Sequence, residues 1–279
     1  MEDDKPNAIP ALGHFPKAPV TTGTTLVAIQ YKDGVVFGTD SRTTMGTYIS
    51  SRATDKITPI TDRIICGRAG TAGDTQAVAD IVKFYVETYG IMEKKPLSIY
   101  RVAQLFRNLL YEYREQLSGS VMIAGYDEKE GAQIYESPLG GFVLRRAFSA
   151  MGSGAHYATS YLDSQWRPDL ALDETIQMVK MAIYLATMRD ASSGGVIRLA
   201  VVDKNGIKRE ICLPEKFPVL YTPCAFSMFP KHSNSGGGLS GMGEGGGYSR
   251  TAQQSQLYSE ESDELSLPIK QSPVGVRQA

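Results

Sequence analysis

The sequence of 279 residues is poor in cysteine, and this scarcity excludes two kinds of site. Its three cysteines, Cys66, Cys212 and Cys224, are odd in number and lie far apart without a C-x-x-C spacing. Such a set supports neither a disulfide framework nor a zinc site. A reducing compartment, the cytoplasm or nucleus, fits it best. We expect no metal and no cofactor.

Long apolar runs and an excess of basic charge are also missing. No segment approaches the roughly eighteen uninterrupted apolar residues that indicate a membrane-spanning helix. The first twenty residues carry acids and four prolines, unlike a secretory signal. A net charge of −1 leaves no basic surplus that could neutralise a phosphate backbone. We therefore expect neither a membrane nor a nucleic acid as a partner.

Composition divides the chain into three zones. Residues 1–23 are proline-rich and lack periodicity, whereas residues 24–222 carry all the regular patterning and are predicted to form one folded domain. Residues 223–279 contain GGGLSGMGEGGG followed by a stretch rich in Ser, Gln and Glu. Because this composition cannot bury much apolar area, we interpret the third zone as a low-complexity, disordered extension.

The middle zone combines strand and helix signals. KDG at 32–34 and KNG at 204–206 each join two runs of strand-type residues, which predicts two hairpins. T-A-G-D at 71–74 has the spacing of a capping box and predicts a helix directly after the strand RIICGRAG. Further helices are predicted after Pro96, after the GSG at 152–154 and from Asp173. This order indicates an α+β fold in which helices cover antiparallel sheets.

Histidine is scarce as well, and this limits the possible nucleophiles. Of the three histidines, His14 and His232 lie in the outer zones, so a Ser-His-Asp arrangement would depend on His156 alone. There is no G-x-S-x-G, H-E-x-x-H or Walker motif. A hydroxyl nucleophile without histidine can instead use its own α-amine as the base, if it is the first residue of the chain.

TTGTT at 21–25 offers such a residue in Thr24, once the bond after Gly23 has been cut. A glycine in front of the threonine has no Cβ to obstruct attack on its carbonyl. The liberated α-amine, with an unperturbed pKa of about 7.7 to 8.0, can then accept the hydroxyl proton. Gly-Thr-Thr before a strand is common by chance, so other residues must converge on Thr24.

Four further segments carry a family resemblance. GTTLVAIQYKDGVVFGTDSRTTMGTYISSRATDKI, GRAGTAGDTQAVAD, GSG and RDASSGGVIRLAVV resemble, in this order, the catalytic beta subunits of the 20S proteasome, which are N-terminal-nucleophile hydrolases. The resemblance covers about residues 20–220. It implies a four-layer αββα sandwich and assembly with other alpha and beta subunits into stacked seven-membered rings. It also implies autocatalytic removal of residues 1–23 and hydrolysis of unfolded polypeptides in the cytoplasm and nucleus.

The same resemblance places the catalytic nucleophile at Thr24 and its partners at Asp40 and Lys56. A lysine ammonium beside the hydroxyl would favour its deprotonated form and lower the pKa of the α-amine, while the aspartate would orient the lysine. An ordinary ion pair at the strand ends is the alternative interpretation of Asp40 and Lys56. Three supporting residues are implied to hydrogen-bond the liberated amine: Ser153, Asp190 and Ser193.

Two positions concern the substrate. The amide of Gly70 is the best candidate for the oxyanion donor, since it precedes a helix N-terminus, although the glycine could merely enable the turn. Arg68 falls at the base of the family's specificity pocket, as in the caspase-like, post-acidic subunit, and would pair with an aspartate or glutamate side chain. A solvated arginine, or one paired with an internal acid, is the alternative. The implied pocket also includes Thr43, Thr54, Thr58, Ala72 and Gln76.

Two rival functions stay open at the level of sequence. A purely structural ring subunit would contribute interfaces only, but Thr24, Asp40 and Lys56 are all of the residue type that activity requires. Another N-terminal-nucleophile enzyme, such as an amidase acting on small molecules, would match over a shorter part of the chain.

Overall fold

A computed structural model describes residues 23–138 and 140–218. Of the predicted leader 1–23, only Gly23 is among them, and the predicted extension 223–279 lies outside them. In chain order the strands are β1 (Thr25–Tyr31), β2 (Gly34–Thr39), β3 (Thr43–Met45), β4 (Tyr48–Ser51), β5 (Ile57–Thr61), β6 (Ile64–Gly70), β7 (Gly119–Asp127), β8 (Gly131–Ser137), β9 (Leu144–Arg146), β10 (Phe148–Gly152), β11 (Ile197–Asp203) and β12 (Gly206–Cys212). The helices are α1 (Ala72–Glu93), α2 (Ile99–Glu112), α3 (Ala155–Gln165) and α4 (Leu172–Arg189), followed by a short 3₁₀ helix, Pro214–Lys216.

The strands form two large sheets in which every neighbouring pair is antiparallel. The first sheet has the order β10-β1-β2-β11-β12, and the second has the order β5-β6-β7-β8-β9. Strands β3 and β4 pair separately. Both predicted hairpins are confirmed, because β1 pairs with β2 across Lys32 and Asp33, and β11 pairs with β12 across Lys204 and Asn205.

Apolar residues alternate along the strands and so supply both faces of each sheet. Leu26 and Ala28 face a core between the two sheets, while Val27 and Ile29 of the same strand pack in a second core with α3 and α4. A third core lies between the second sheet and helices α1 and α2, around Phe106. The layers are therefore helix, sheet, sheet, helix, and the predicted α+β fold with antiparallel sheets is confirmed.

Helix α1 begins where the sequence predicts it, but the predicted capping box is not formed. Thr71 occupies the N-cap position and its side chain makes no capping hydrogen bond. Asp74 Oδ2 instead accepts a hydrogen bond from the backbone N–H of Ser118, at 3.3 Å. Asp74, at the start of α1, therefore binds the segment that leads into β7.

Five strands were not predicted, namely β3, β4, β5, β9 and β10. They are three to five residues long, which is too short for a period of two to stand out in the sequence. The most consequential is β10, because it forms the edge beside β1 and leads directly to Ser153. None of the helices in the described ranges is long and apolar enough to cross a membrane.

Candidate active site

The predicted catalytic residues meet at one end of the sandwich, where strands from both sheets begin or end. Thr24 immediately precedes β1 and Asp40 immediately follows β2, both in the first sheet. Lys56 immediately precedes β5, in the second sheet. Two loops complete the cluster: Ser153 follows β10, and Asp190 and Ser193 lie between α4 and β11.

Asp40 and Lys56 form a buried ion pair, with 2.7 Å between Nζ and Oδ1. The Asp40 side chain is fully buried and that of Lys56 is 7% exposed. Backbone N–H groups also donate to the carboxylate: Thr25 to Oδ1 at 2.9 Å, and Arg42 and Gly194 to Oδ2 at 3.1 and 3.0 Å. Both carboxylate oxygens are therefore held, and the aspartate fixes the lysine in one position.

Burial acts on both members of this pair. It raises the pKa of the Asp40 carboxyl above its ordinary value, although the Lys56 ammonium opposes the change. It lowers the pKa of the Lys56 ammonium, against the attraction of Asp40. Both shifts bring the pair closer to its neutral form, so a proton can leave Lys56 more easily than it leaves an exposed lysine.

The peptide group between Gly23 and Thr24 is the second element of the site. The carbonyl oxygen of Gly23 accepts two hydrogen bonds, from Thr24 Oγ1 at 2.7 Å and from Lys56 Nζ at 2.9 Å. On the other side of Gly23, its N–H donates to Thr44 Oγ1 at 3.2 Å. The hydroxyl of Thr24 is thus next to the carbonyl that precedes it, and a cation polarises that carbonyl.

The structure gives a steric reason for the glycine at position 23. A Cβ added there would overlap the Cβ, the carbonyl carbon and the carbonyl oxygen of Ser192. Two of these three atoms are backbone, so a rotamer change could not relieve the overlap. The glycine is therefore required by a neighbouring loop that is remote in sequence, in addition to the freedom of attack expected from the sequence.

A hydrogen-bonded cluster surrounds the nitrogen of Thr24. The N–H of Thr24 donates to Ser153 Oγ at 3.0 Å, and Ser153 Oγ donates to Asp190 Oδ2 at 2.6 Å. Ser193 Oγ also donates to Asp190 Oδ2 at 2.6 Å, but it lies 2.8 Å from the hydroxyl of Thr25. The resemblance implied that all three supporting residues contact the amine. In the structure Ser153 contacts this nitrogen, whereas Asp190 contacts Ser153, and Ser193 contacts Asp190.

A small cavity opens in front of Thr24. Its lining includes three of the residues implied for the pocket, Thr43, Thr54 and Ala72, together with Arg68 and Gly70. Thr58 and Gln76 are not among its lining residues: Thr58 pairs with Cys66 between β5 and β6, and Gln76 is exposed on α1. Thr75 lines the cavity and was missed, although its spacing of three from Ala72 on a helix was a usable signal.

One nitrogen of the Arg68 guanidinium is hydrogen-bonded to the backbone. Its Nη2 donates to the backbone oxygen of Asp55 at 2.9 Å, whereas its buried Nε has no hydrogen-bond partner among the described residues. The carboxylate of Asp55 pairs with Arg209 instead, at 2.6 Å. The carboxylate of Asp55 is therefore committed elsewhere, which speaks against Arg68 being paired with it.

Gly70 ends strand β6 with a backbone φ of +110°, in the region that favours glycine. A Cβ at this position would lie 2.5 Å from the carbonyl oxygen of Ser118 and 2.6 Å from Gly119 Cα. The turn therefore requires glycine for conformation and for space. This requirement is compatible with a further role of its amide, since Gly70 also lines the cavity.

The comparison with known proteins agrees with this geometry. A family model described as "Proteasome subunit" matches residues 20–202. The chain belongs to the proteasome subunit family. Among its relatives, this proteasome subunit is 41% identical over 199 residues to "Proteasome subunit beta type-6" of Dictyostelium discoideum, covering 71% of this chain and 93% of the relative.

Other beta subunits are similarly related. The identity is 39% over 209 residues to "Proteasome subunit beta type-1" of Saccharomyces cerevisiae, covering 75% of this chain and 97% of the relative. It is 39% over 210 residues to "Proteasome subunit beta type-9" of Homo sapiens, covering 75% and 95%. The relatives are beta subunits of three different types, so similarity alone does not assign a type to this proteasome subunit.

Proposed function

We propose that this proteasome subunit is a threonine endopeptidase that liberates Thr24 by cutting after Gly23 and then hydrolyses unfolded polypeptides. The observation that carries the proposal is the convergence of the Thr24 hydroxyl and the Lys56 ammonium on the Gly23 carbonyl oxygen, at 2.7 and 2.9 Å. An ion pair that only joined two strand ends would not be expected to donate a hydrogen bond to the Gly23 carbonyl, which precedes Thr24. We place the enzyme in stacked seven-membered rings with other alpha and beta subunits, in the cytoplasm and nucleus.

Self-cleavage begins with an amide nitrogen, which is not a base, so the first proton acceptor must be another group. The Lys56 and Asp40 pair is suited to move the proton because burial brings it close to its neutral form. Thr24 Oγ1 attacks the carbonyl carbon of Gly23, the C–N bond breaks, and the hydroxyl proton ends on the Thr24 nitrogen. Water then hydrolyses the resulting ester, which releases the leader as an acid and leaves Thr24 with an amine.

In the processed chain the amine of Thr24 takes over as the base. Ser153 holds its nitrogen, and the nearby charge of Lys56 favours the neutral amine. The same hydroxyl attacks the carbonyl of a substrate peptide, and the ester is hydrolysed in turn. The amide of Gly70, which lines the cavity, is proposed to donate to the oxyanion.

Sequencing the N-terminus of the subunit in assembled particles tests this proposal. We expect it to begin at Thr24, and we expect Thr24→Ala to abolish both processing and peptide hydrolysis. Thr88→Ala, which removes an exposed hydroxyl on α1, is the matched control and should be processed normally. Active particles whose subunit still begins at Met1 would refute the proposal.

A threonine-directed covalent probe separates the proposed enzyme from a structural ring subunit. The enzyme should take up one probe at Thr24, and no uptake by a correctly assembled particle would leave only the structural role. The mass of the native assembly distinguishes the ring protease from a small-molecule amidase, which needs no such ring.

We further propose a preference for acidic residues before the cut bond, based on Arg68. Its guanidinium lines the cavity, and among the described residues only its Nη2 is hydrogen-bonded, to the backbone oxygen of Asp55, so its charge and further donors are left for a carboxylate. Arg68→Met should lower kcat/KM for substrates with glutamate at this position by about 10- to 100-fold, the value of a hydrogen bond to a charged group. Arg63→Met, at an exposed ion pair, is the control. Unchanged hydrolysis after glutamate would disprove the assignment.

A further inference from the structure

The loop between α4 and β11 carries a hydroxyl that the sequence did not single out, that of Ser192. Its Oγ lies 2.6 Å from Asp190 Oδ1, and its backbone N–H donates to the same oxygen at 3.0 Å. The same Oγ is 3.1 Å from Ser153 Oγ. A serine hydroxyl has a single proton, and the shorter contact to a charged oxygen is the stronger one. Ser192 therefore donates to Asp190.

The two carboxylate oxygens of Asp190 consequently have separate partners. Oδ1 accepts both of its hydrogen bonds from Ser192, whereas Oδ2 accepts from Ser153 and Ser193 at 2.6 Å each. Because the carboxylate is planar, the position of Oδ1 determines the direction of Oδ2. Ser192 thus sets the direction in which the Ser153 hydroxyl points.

The direction of the Ser153 hydroxyl matters for the amine of Thr24. While the proton of Ser153 is committed to Asp190, its oxygen can only accept a hydrogen bond from the Thr24 nitrogen. The lone pair of the amine then stays available for the proton of the Thr24 hydroxyl. If Ser153 turned its proton towards the amine, it would occupy that lone pair and the base would be lost.

We infer that Ser192 is a positioning residue, which orients Asp190 and through it Ser153, so that the amine of Thr24 remains a competent base. The inference rests on the proposed function, and it assigns a role beyond the six residues implied by the family resemblance. Ser192 acts through other residues and is not itself a catalytic group.

The negative charge of Asp190 holds the proton of Ser153. Burial alone would raise the pKa of this carboxyl, but the hydrogen bonds from Ser153, Ser192 and Ser193 outweigh it and hold the pKa below its ordinary value. The other charged groups that face this loop are Lys56, Arg42, whose Nη1 donates to the oxygen of Ala191 at 2.8 Å, and Asp40, which holds the N–H of Gly194. Loss of the Ser192 hydroxyl leaves these groups in place and raises the pKa of Asp190.

The sign of the effect on activity follows from this. The acid limb of the pH profile reports the Thr24 amine, because activity is lost as the pH falls through the pKa of this base, while the pKa of Asp190 lies far lower. When the Ser153 hydroxyl turns its proton to the amine, it stabilises the neutral amine and lowers the pKa of the amine, so the acid limb moves to lower pH. A variant that was merely misfolded or poorly assembled would lose amplitude at every pH without moving this limb.

The test compares Ser192→Ala and Ser192→Thr in assembled particles whose N-terminus has been verified as Thr24. For Ser192→Ala we expect the acid limb of kcat/KM to move to lower pH and the plateau to fall about 10-fold, as for the loss of one hydrogen bond to a charged group. Ser192→Thr keeps the hydroxyl and should restore the position of the limb. Ser160→Ala, which removes an exposed hydroxyl from α3, should change neither quantity.

Three results would overturn the inference. The first is a Ser192→Ala profile that superposes on the wild-type profile, and the second is a Ser192→Thr profile that matches Ser192→Ala. The third is assembled Ser192→Ala particles that retain the leader, which would make this residue part of the self-cleavage geometry instead. None of these results affects the proposed function, which fails only if active wild-type particles do not begin at Thr24.

Discussion

Lys56 has a long side chain that ends in a small, charged ammonium group, and arginine does not share all of these properties. Its Nζ contacts Gly23 O and Asp40 Oδ1 at 2.9 and 2.7 Å from within a nearly closed environment. Arginine keeps the charge, but its guanidinium is larger and planar and does not give up its proton. The site therefore depends on the ammonium group itself, beyond its positive charge.

We accordingly expect Lys56→Arg to lower both self-cleavage and peptide hydrolysis by about 100-fold or more, the range seen when a proton-transfer group is lost. Mass spectrometry of the subunit's N-terminus and kcat/KM on a peptide measure the two effects. Lys180→Arg, at an ion pair between α4 and Glu210 of β12, is the control and should behave as wild type. Processing of Lys56→Arg at the wild-type rate would show that charge alone suffices.

Single residues were predictable from the sequence where the chemistry constrains the residue type. Thr24 could be named because a hydroxyl nucleophile without histidine needs its own amine as the base, whereas Asp40 and Lys56 were implied by the resemblance to proteasome beta subunits; the structure places these two within 2.7 Å of each other. Ser192 could not be named, since one serine beside another carries no signal of its own. Its contacts with Gly23 and Ser153 arise only from the tertiary fold.

At the scale of elements, the two N-termini of α1 and α2 differ in a way that the sequence does not show. Ser98 caps α2 by accepting a hydrogen bond from the N–H of Arg101, at 3.4 Å. Thr71 stands at the same position of α1 without such a bond. Both residue types are favoured at this position, but only one of the two side chains is used.

This difference leads to a stability prediction. Ser98→Ala should lower the free energy of unfolding by about 1 kcal/mol, the usual value of an N-cap, whereas Thr71→Ala should change it by less than about 0.5 kcal/mol. Ser98→Asp retains an acceptor and should preserve most of the stability. Denaturant titration of the three variants provides the comparison, and equal losses for the two alanine variants would contradict the assignment of the caps.

Elements were predictable in proportion to their length and regularity. The hairpins at 32–34 and 204–206 combine a turn with two long strands, so local sequence was sufficient. The edge strand β10 has only five residues and gains its stability from pairing with β1, which is more than a hundred positions away. No local pattern encodes such a partner.

For the whole molecule, the core between the two sheets determines whether the site exists at all. Phe37 of β2 is fully buried there, and its ring fills the space left by Gly67 of β6, where an added Cβ would overlap the ring. Asp40 follows a strand of one sheet, and Lys56 precedes a strand of the other. The packing of Phe37 therefore helps to keep the two halves of the ion pair together.

Phe37→Ala should lower the free energy of unfolding by about 3 to 5 kcal/mol, through lost burial and the cavity that remains. Phe37→Leu conserves more of the volume and should cost less than about 2 kcal/mol, between an isosteric swap and a full truncation. Chemical denaturation gives both values, and the extent of processing of each variant should decrease in the same order. A loss below about 1 kcal/mol for the alanine variant would mean that the sheets are held together elsewhere.

The way the site is divided along the chain has one further consequence under the proposed function. Thr24 precedes the first strand, Lys56 precedes a strand of the other sheet, and Asp190 comes after the fourth helix, so only a fragment that spans residues 24–190 contains them all. A newly synthesised chain consequently has no peptidase activity until the loop that carries Asp190 has been made and has folded against Thr24. Folding of the domain therefore has to precede the release of the nucleophile.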